Sequence, residues 1–173
     1  MSAALHLLRS GVVCWGAAAL ACAPMFQSPR DETVPVIRVT PDTVTMVRRT
    51  DGAGFYVTAS VRSGNGKPFL AHVACGQSAQ RLIDGKWTTV WTPVCVSTAG
   101  PVASVAGRDS LVVGVNVFGF TNPAFAPKLD PRLQPGLYRV AFLIGVDAGQ
   151  SGTRSEVREA ASAPFVVLES TTR

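Results

Sequence analysis

Residues able to do acid–base or covalent chemistry are few in this chain, and their spacing assembles no site. His72 is the one histidine beyond position 6. A Ser-His-Asp site needs a histidine beside a nucleophile and an orienting acid, whereas His72 lies in an alternating stretch with no nucleophile motif around it. It reads as an ordinary strand histidine. A zinc site draws on three or four His, Cys or carboxylate ligands, so no metal and no other cofactor is expected. Asp42, Asp51 and Asp84 fall at turns and Asp130 and Asp147 near loops, where an Asp side chain bonds its own backbone. Gly64-Asn65-Gly66 is followed by neither a helix nor a Lys-Ser/Thr pair, so it is no phosphate loop. No catalytic residue is nominated, and the expectation is a protein that is not an enzyme.

The four cysteines, at 14, 22, 75 and 95, carry more information. Residues 1–9 (MSAALHLLR) hold one Arg and no acid, and residues 10–21 (SGVVCWGAAALA) are uncharged and end in small side chains. That is the layout of a signal peptide, and the apolar run falls short of the roughly 20 residues a spanning helix needs. Ala19-Leu20-Ala21 suits ordinary signal cleavage, and Ala18-Ala19-Leu20-Ala21-Cys22 also resembles the lipobox of bacterial lipoproteins. That family's cysteine takes a diacylglycerol on its thiol and a further acyl chain on its freed amino group. Parity favours the lipid: once Cys14 leaves with residues 1–21, three cysteines remain, and an exported protein normally pairs its cysteines. Lipidation of Cys22 leaves Cys75 and Cys95 to bond each other. The alternative is an unmodified Cys22 on a secreted or periplasmic soluble protein. Residues 22–33 then read as the lipidated cysteine and a Pro-containing tether. Ala23 after the cysteine resembles outer-membrane sorting if the cell is Gram-negative.

The elements that must position these residues are strands. With 47% hydrophobic and 16% charged residues, the chain is unlike a disordered one. Its net charge of +5 is scattered, with Arg48-Arg49 the one adjacent basic pair, and offers no clustered basic face for nucleic acid. Phe55, Val57, Ala59 and Val61 alternate with Tyr56, Thr58, Ser60 and Arg62, the period of a half-buried strand. Phe69, Ala71, Val73 and Cys75 are expected on one inward face. Asp84-Gly85 between two apolar pairs marks a type I′ hairpin. Further strands are expected at 36–40, 43–49, 110–118, 137–146 and about 163–168, with Tyr138, Val140, Phe142 and Ile144 filling one face. Residues 154–162 admit one or two helical turns or an irregular connection. The Pro-rich stretch 119–136 reads as a long surface connection, since Pro lacks the ladder donor. Eight or nine short strands with turn signals between them indicate an all-β sandwich over residues 34–173.

Three segments carry a resemblance to a bacterial immunoglobulin-like family of exported and lipid-anchored proteins. They are Val61-Arg62-Ser63-Gly64-Asn65, then Gln80-Arg81-Leu82-Ile83-Asp84-Gly85-Lys86-Trp87, then Leu133-Gln134-Pro135-Gly136-Leu137-Tyr138-Arg139-Val140. The resemblance implies an antiparallel immunoglobulin-like β-sandwich of seven to nine strands, with no catalytic residues to carry over. The expected function is an exported, lipid-anchored binding or structural module of the cell envelope. Its partners are the membrane, through the N-terminal lipid, and an envelope protein or glycan, with no nucleic acid. Phe120, Phe125, Lys128 and Arg132 on the long connection are the expected contact residues, because sandwich loops commonly carry recognition. A protease-inhibitor-like module presenting that loop is the alternative.

Overall fold

The alternation along the central strands decides which side chains enclose the core. A computed structural model of the chain describes residues 35–95, 102–146 and 156–170. The expected signal peptide (1–21), Cys22 and the tether lie outside the described residues. In β3 (Gly52–Arg62) the side chains of Phe55, Val57, Ala59 and Val61 are buried and those of Tyr56 and Arg62 exposed. In β9 (Gly136–Val146) Tyr138, Val140, Phe142 and Ile144 are buried in the same way. Each fully buried large apolar side chain stabilises the fold by about 1.5–3 kcal/mol. The two stripes face each other: the Phe55 ring stands edge-on to Tyr138 at 5.1 Å and to Phe165 at 5.9 Å between centroids.

Hydrogen bonding joins the strands into one curled, mixed sheet. β3 pairs along its whole length with β8 (Ser110–Phe120), from Gly52↔Phe120 to Arg62↔Ser110. Its other edge takes β1 (Val36–Thr40) and then the C-terminal half of β2 (Thr43–Arg49), at Val47↔Gly54 to Arg49↔Gly52. The N-terminal half of β2 pairs instead with β11 (Phe165–Glu169), from Val166↔Thr43 to Glu169↔Met46. β9 is the centre of the second group. β11 and β10 (Glu156–Ala161) follow one another along one of its edges. β5 (Gln77–Ile83) and β4 (Phe69–His72) share the other. β6 (Lys86–Trp91) lies beyond β5, and β7 (Val102–Val105) beyond β4.

Four features correct the sequence reading. The described residues contain eleven strands rather than seven to nine, the added ones being β7 and β10, and two bends interrupt the chain between strands. One break is at 73–76, where Leu143 N donates to Gly76 O. The other is at 162–164, where Ser162 Oγ accepts from Val140 N while Ser162 N donates to Val140 O. Second, the β2–β11 pairing is parallel, so the sheet is mixed rather than purely antiparallel. Third, residues 156–161 form β10, neither helical turns nor an irregular connection: the open edge of β9 supplies a ladder that outweighs the helix propensity of Glu, Arg and Ala. Fourth, Cys75 is not on a strand: β4 ends at His72, and Cys75 sits half-buried in the bend that follows. β7 lies in a stretch whose alternation is too short to read. The hairpin at Asp84-Gly85 is as expected, with φ of 50° and 76° giving the two positive values a type I′ turn needs.

Candidate functional site

The outer face of the β3–β8 pair builds a groove from glycines set opposite aromatics. Gly54 pairs with Phe118 and Gly52 with Phe120. A Cβ on Gly52 or Gly54 would come within 2.7–2.8 Å of the Phe118 side chain or main chain, so that residue lies across both glycines. Tyr56 does the same one register on: a Cβ at Gly114 would lie 2.6 Å from its hydroxyl. A strand glycine of this kind marks close approach of other atoms. The result is an open groove of about 560 Å³ lined by Gly54, Tyr56, Asn116, Phe118 and Phe120 of the β3–β8 pair, together with Trp91, Val94 and Pro127. Arg49 and Asp51 also line it.

Two tethers hold the wall that lies outside the β3–β8 pair. The Trp91 indole Nε1 donates to Phe118 O at 3.1 Å, fixing the end of β6 to the edge of β8. Phe120 N donates to Pro127 O and Leu129 N to Phe120 O, both at 2.9 Å, fixing the long connection to the same edge. The tip of that connection is braced by Asn122, whose Oδ1 accepts from Ala124 N at 2.9 Å and whose carbonyl accepts from Phe125 N at 3.1 Å. Thr121 N donates to Asp51 O at 2.8 Å. Phe125 packs on Phe120 at 5.5 Å between centroids and is still 55% exposed. Tyr56 at 57% and Val94 at 58% are exposed to a similar degree, and both line the groove. Next to Val94, Cys95 is bonded to Cys75, so the disulfide pins the 92–95 wall to the bend between β4 and β5.

Of the four expected contact residues, the fold brings three together. Phe120 and Phe125 pack with their rings tilted by 42°, and Lys128 lines an adjoining hollow of about 330 Å³ with Asp130 and Trp91. Arg132 lines neither cavity and is engaged within the connection: its Nε and Nη2 donate to the two Asp130 oxygens at 3.0 and 2.7 Å. Those bonds hold the Asp130 carboxyl below the usual carboxylate range, and Arg132 O accepts from Arg81 Nη1 at 3.2 Å. The two strand tryptophans separate. Trp91 joins the groove wall, while Trp87 lies under the Arg139 guanidinium at 4.6 Å. Arg139 Nε also donates to Gln80 Oε1 at 2.7 Å, and its burial lowers its pKa. His72 is half-buried at the end of β4. Among the described residues no three of His, Cys, Asp and Glu gather as metal ligands would.

Sequence reasoning missed Tyr56, Trp91, Val94 and Asn116 as members of one site. The signal that points to them is the set of glycines at 52, 54 and 114 inside otherwise strong strands, each marking where a neighbour's ring crosses the backbone. No protein-family model matches the chain, and no curated protein matches its sequence, so the functional reading rests on this geometry.

Proposed function

We propose that this chain is an exported, lipid-anchored envelope module without catalytic chemistry, built on an immunoglobulin-like sandwich, that holds an apolar segment of a partner protein in the groove under the 121–127 loop. The observation that carries the binding reading is the exposed aromatic wall: Tyr56 lines a preformed groove with Trp91 and Phe120, and Phe125 stands exposed against the Phe120 ring. Rigid aromatics with little side-chain entropy to lose are the usual anchors of protein interfaces.

Three features support the immunoglobulin-like reading. β2 leaves β3 for a parallel pairing with β11, which lets a first strand edge both layers of a sandwich. β9 is flanked by β11 and β5, in the place of that fold's central strand. Near the start of β9 the Tyr138 hydroxyl donates to Gln134 O at 2.5 Å, the bond of a tyrosine corner. The lipid anchor is supported by the Cys75–Cys95 bond, which leaves Cys22 as the remaining cysteine of a chain cleaved after Ala21.

The test is site-specific photocrosslinking in cells expressing the full chain, with the photoreactive residue at 56, at 125, or at 168, an exposed position of β11 that does not line the groove. The same adduct is expected from 56 and 125 and not from 168, and Phe125→Ser is expected to abolish the adduct formed from 56. Adducts from all three positions, or from none, would overturn the assignment; an adduct with glycan mass would reassign the ligand. The braced loop with Phe125 at its tip also suits a protease inhibitor. Slow, loop-dependent inhibition of an envelope protease, lost in Phe125→Ser, would favour that reading instead.

A further inference from the structure

The open edge of β8 is the feature of the molecule that the groove does not use. β8 is eleven residues long, SLVVGVNVFGF, with no charge, no proline and no shift of register against β3. Natural edge strands are normally blunted by a lysine, a proline, a bulge or a cover; the described residues cover this one at its C-terminal end only. There Trp91 takes Phe118 O, and residues 127 and 129 take both backbone groups of Phe120. Because backbone groups alternate in direction along a strand, those of Val112, Gly114 and Asn116 point the same way as those of Phe118 and Phe120. Among the described residues no strand pairs with them on that side. Val112 is 65% exposed, and Leu111 and Val113, whose side chains point to the core, are only half-buried.

We propose that this edge pairs with the same edge of a second copy of the chain, antiparallel about a two-fold axis at Gly114. Three observations select a second copy over any other occupant. The open stretch runs from Ser110, where β8 begins, to Phe118, where the cover begins, and its midpoint is residue 114. A two-fold there sets each copy's Ser110 opposite the other's Phe118, so the strands overlap just as far as the covers allow. The register Val112↔Asn116, Gly114↔Gly114 is self-complementary: each of these pairs gains two backbone hydrogen bonds, the axis meets two residues without side chains, and no like charges oppose. The same register sets Leu111 opposite Val117 and Val113 opposite Val115 of the other copy, which covers the two core-facing side chains left half-buried. The result is a C2 dimer with an isologous interface, which runs beside the groove along Asn116 and Phe118 of its lining.

The experiment is sedimentation equilibrium over a concentration series on the exported full chain carrying Cys22→Ser, which removes the candidate acyl site. The parent is expected to reach twice the chain mass reversibly. Val112→Lys with Asn116→Lys sets like charges directly opposite in this register and is expected to give a monomer of unchanged thermal unfolding. Val112→Lys with Asn116→Glu sets opposite charges there and is expected to restore the dimer. A parent that stays monomeric at every concentration overturns the proposal. A Lys/Lys variant that still dimerises, or a Lys/Glu variant that does not, overturns the register. Should the Lys/Lys variant unfold, amide exchange on the parent decides: protection at residues 112, 114 and 116 must rise with concentration.

Discussion

The hydroxyl of Tyr138 is a polar atom that the apolar core has to accommodate. The residue is fully buried, and the hydroxyl donates to Gln134 O. Burial pushes its pKa up to about 12, against about 10 for an unfolded chain. The neutral hydroxyl therefore favours the folded state fully below pH ~10, and that contribution is lost as pH rises toward ~12. Tyr138→Phe is expected to cost about 1 kcal/mol at pH 7 and to flatten the fall in stability above pH ~10; urea titrations of both proteins at neutral and alkaline pH measure this. A parent whose alkaline loss persists in the variant would assign that loss to other groups. Tyr138, Asp84 and Gly85 were legible in the sequence because their roles are set by near neighbours in the chain. Arg132 was not: its partner Asp130 is only two residues away, yet its direction depends on the fold of the whole connection.

At the scale of elements, the disulfide does more than close a loop. It joins positions 20 apart, and in the chain-entropy model a loop of this size contributes about 3 kcal/mol. It also holds Val94 and Pro93 against the groove. Cys75→Ser with Cys95→Ser is expected to lower stability by about that amount and to speed hydrogen exchange of the Trp91 indole proton, which is bonded to Phe118 O. Unchanged indole exchange in the double variant would show that the Trp91 bond alone holds the wall. The pairing of the two cysteines was legible from parity, but the place of Cys75 in a bend was not. Alternation from Phe69 to Cys75 implied an unbroken strand, and the bend at 73–76 exists because β4 and β5 meet different stretches of β9. The same logic hid β10, whose Glu-Val-Arg-Glu-Ala-Ala sequence becomes a strand only beside β9.

At the scale of the whole molecule, the anchor and the domain answer to different physics. The proposed export depends on a linear signal, and the proposed lipid on one cysteine at its end. The intact mass of the protein purified from membranes is expected to match a chain beginning at Cys22 plus acyl groups. Cys22→Ser is expected to move the protein to the soluble fraction, because each buried CH₂ lost removes roughly 0.8 kcal/mol of membrane affinity. An unmodified Cys22 thiol at the mature N-terminus would overturn the anchor while leaving the folded domain as described. The domain's closure depends on β2, which serves two groups of strands, and on the facing stripes of Phe55, Tyr138 and Phe165.

The sequence by itself determined the all-β character, the inward stripes of β3 and β9, the Asp84-Gly85 hairpin and the cysteine pair. Each follows from a period of two, from the positive φ of a short turn, or from parity, all of which act locally or by count. Tertiary structure alone decided which strands are neighbours, and with that the groove. Tyr56 meets Gly114, and Phe118 meets Gly54 and Gly52, only in the β3–β8 register. Trp91 reaches Phe118 only because β6 ends beside the edge of β8. Register and layer packing are set by hydrogen bonds and burial between segments far apart in the chain, so no local pattern encodes them.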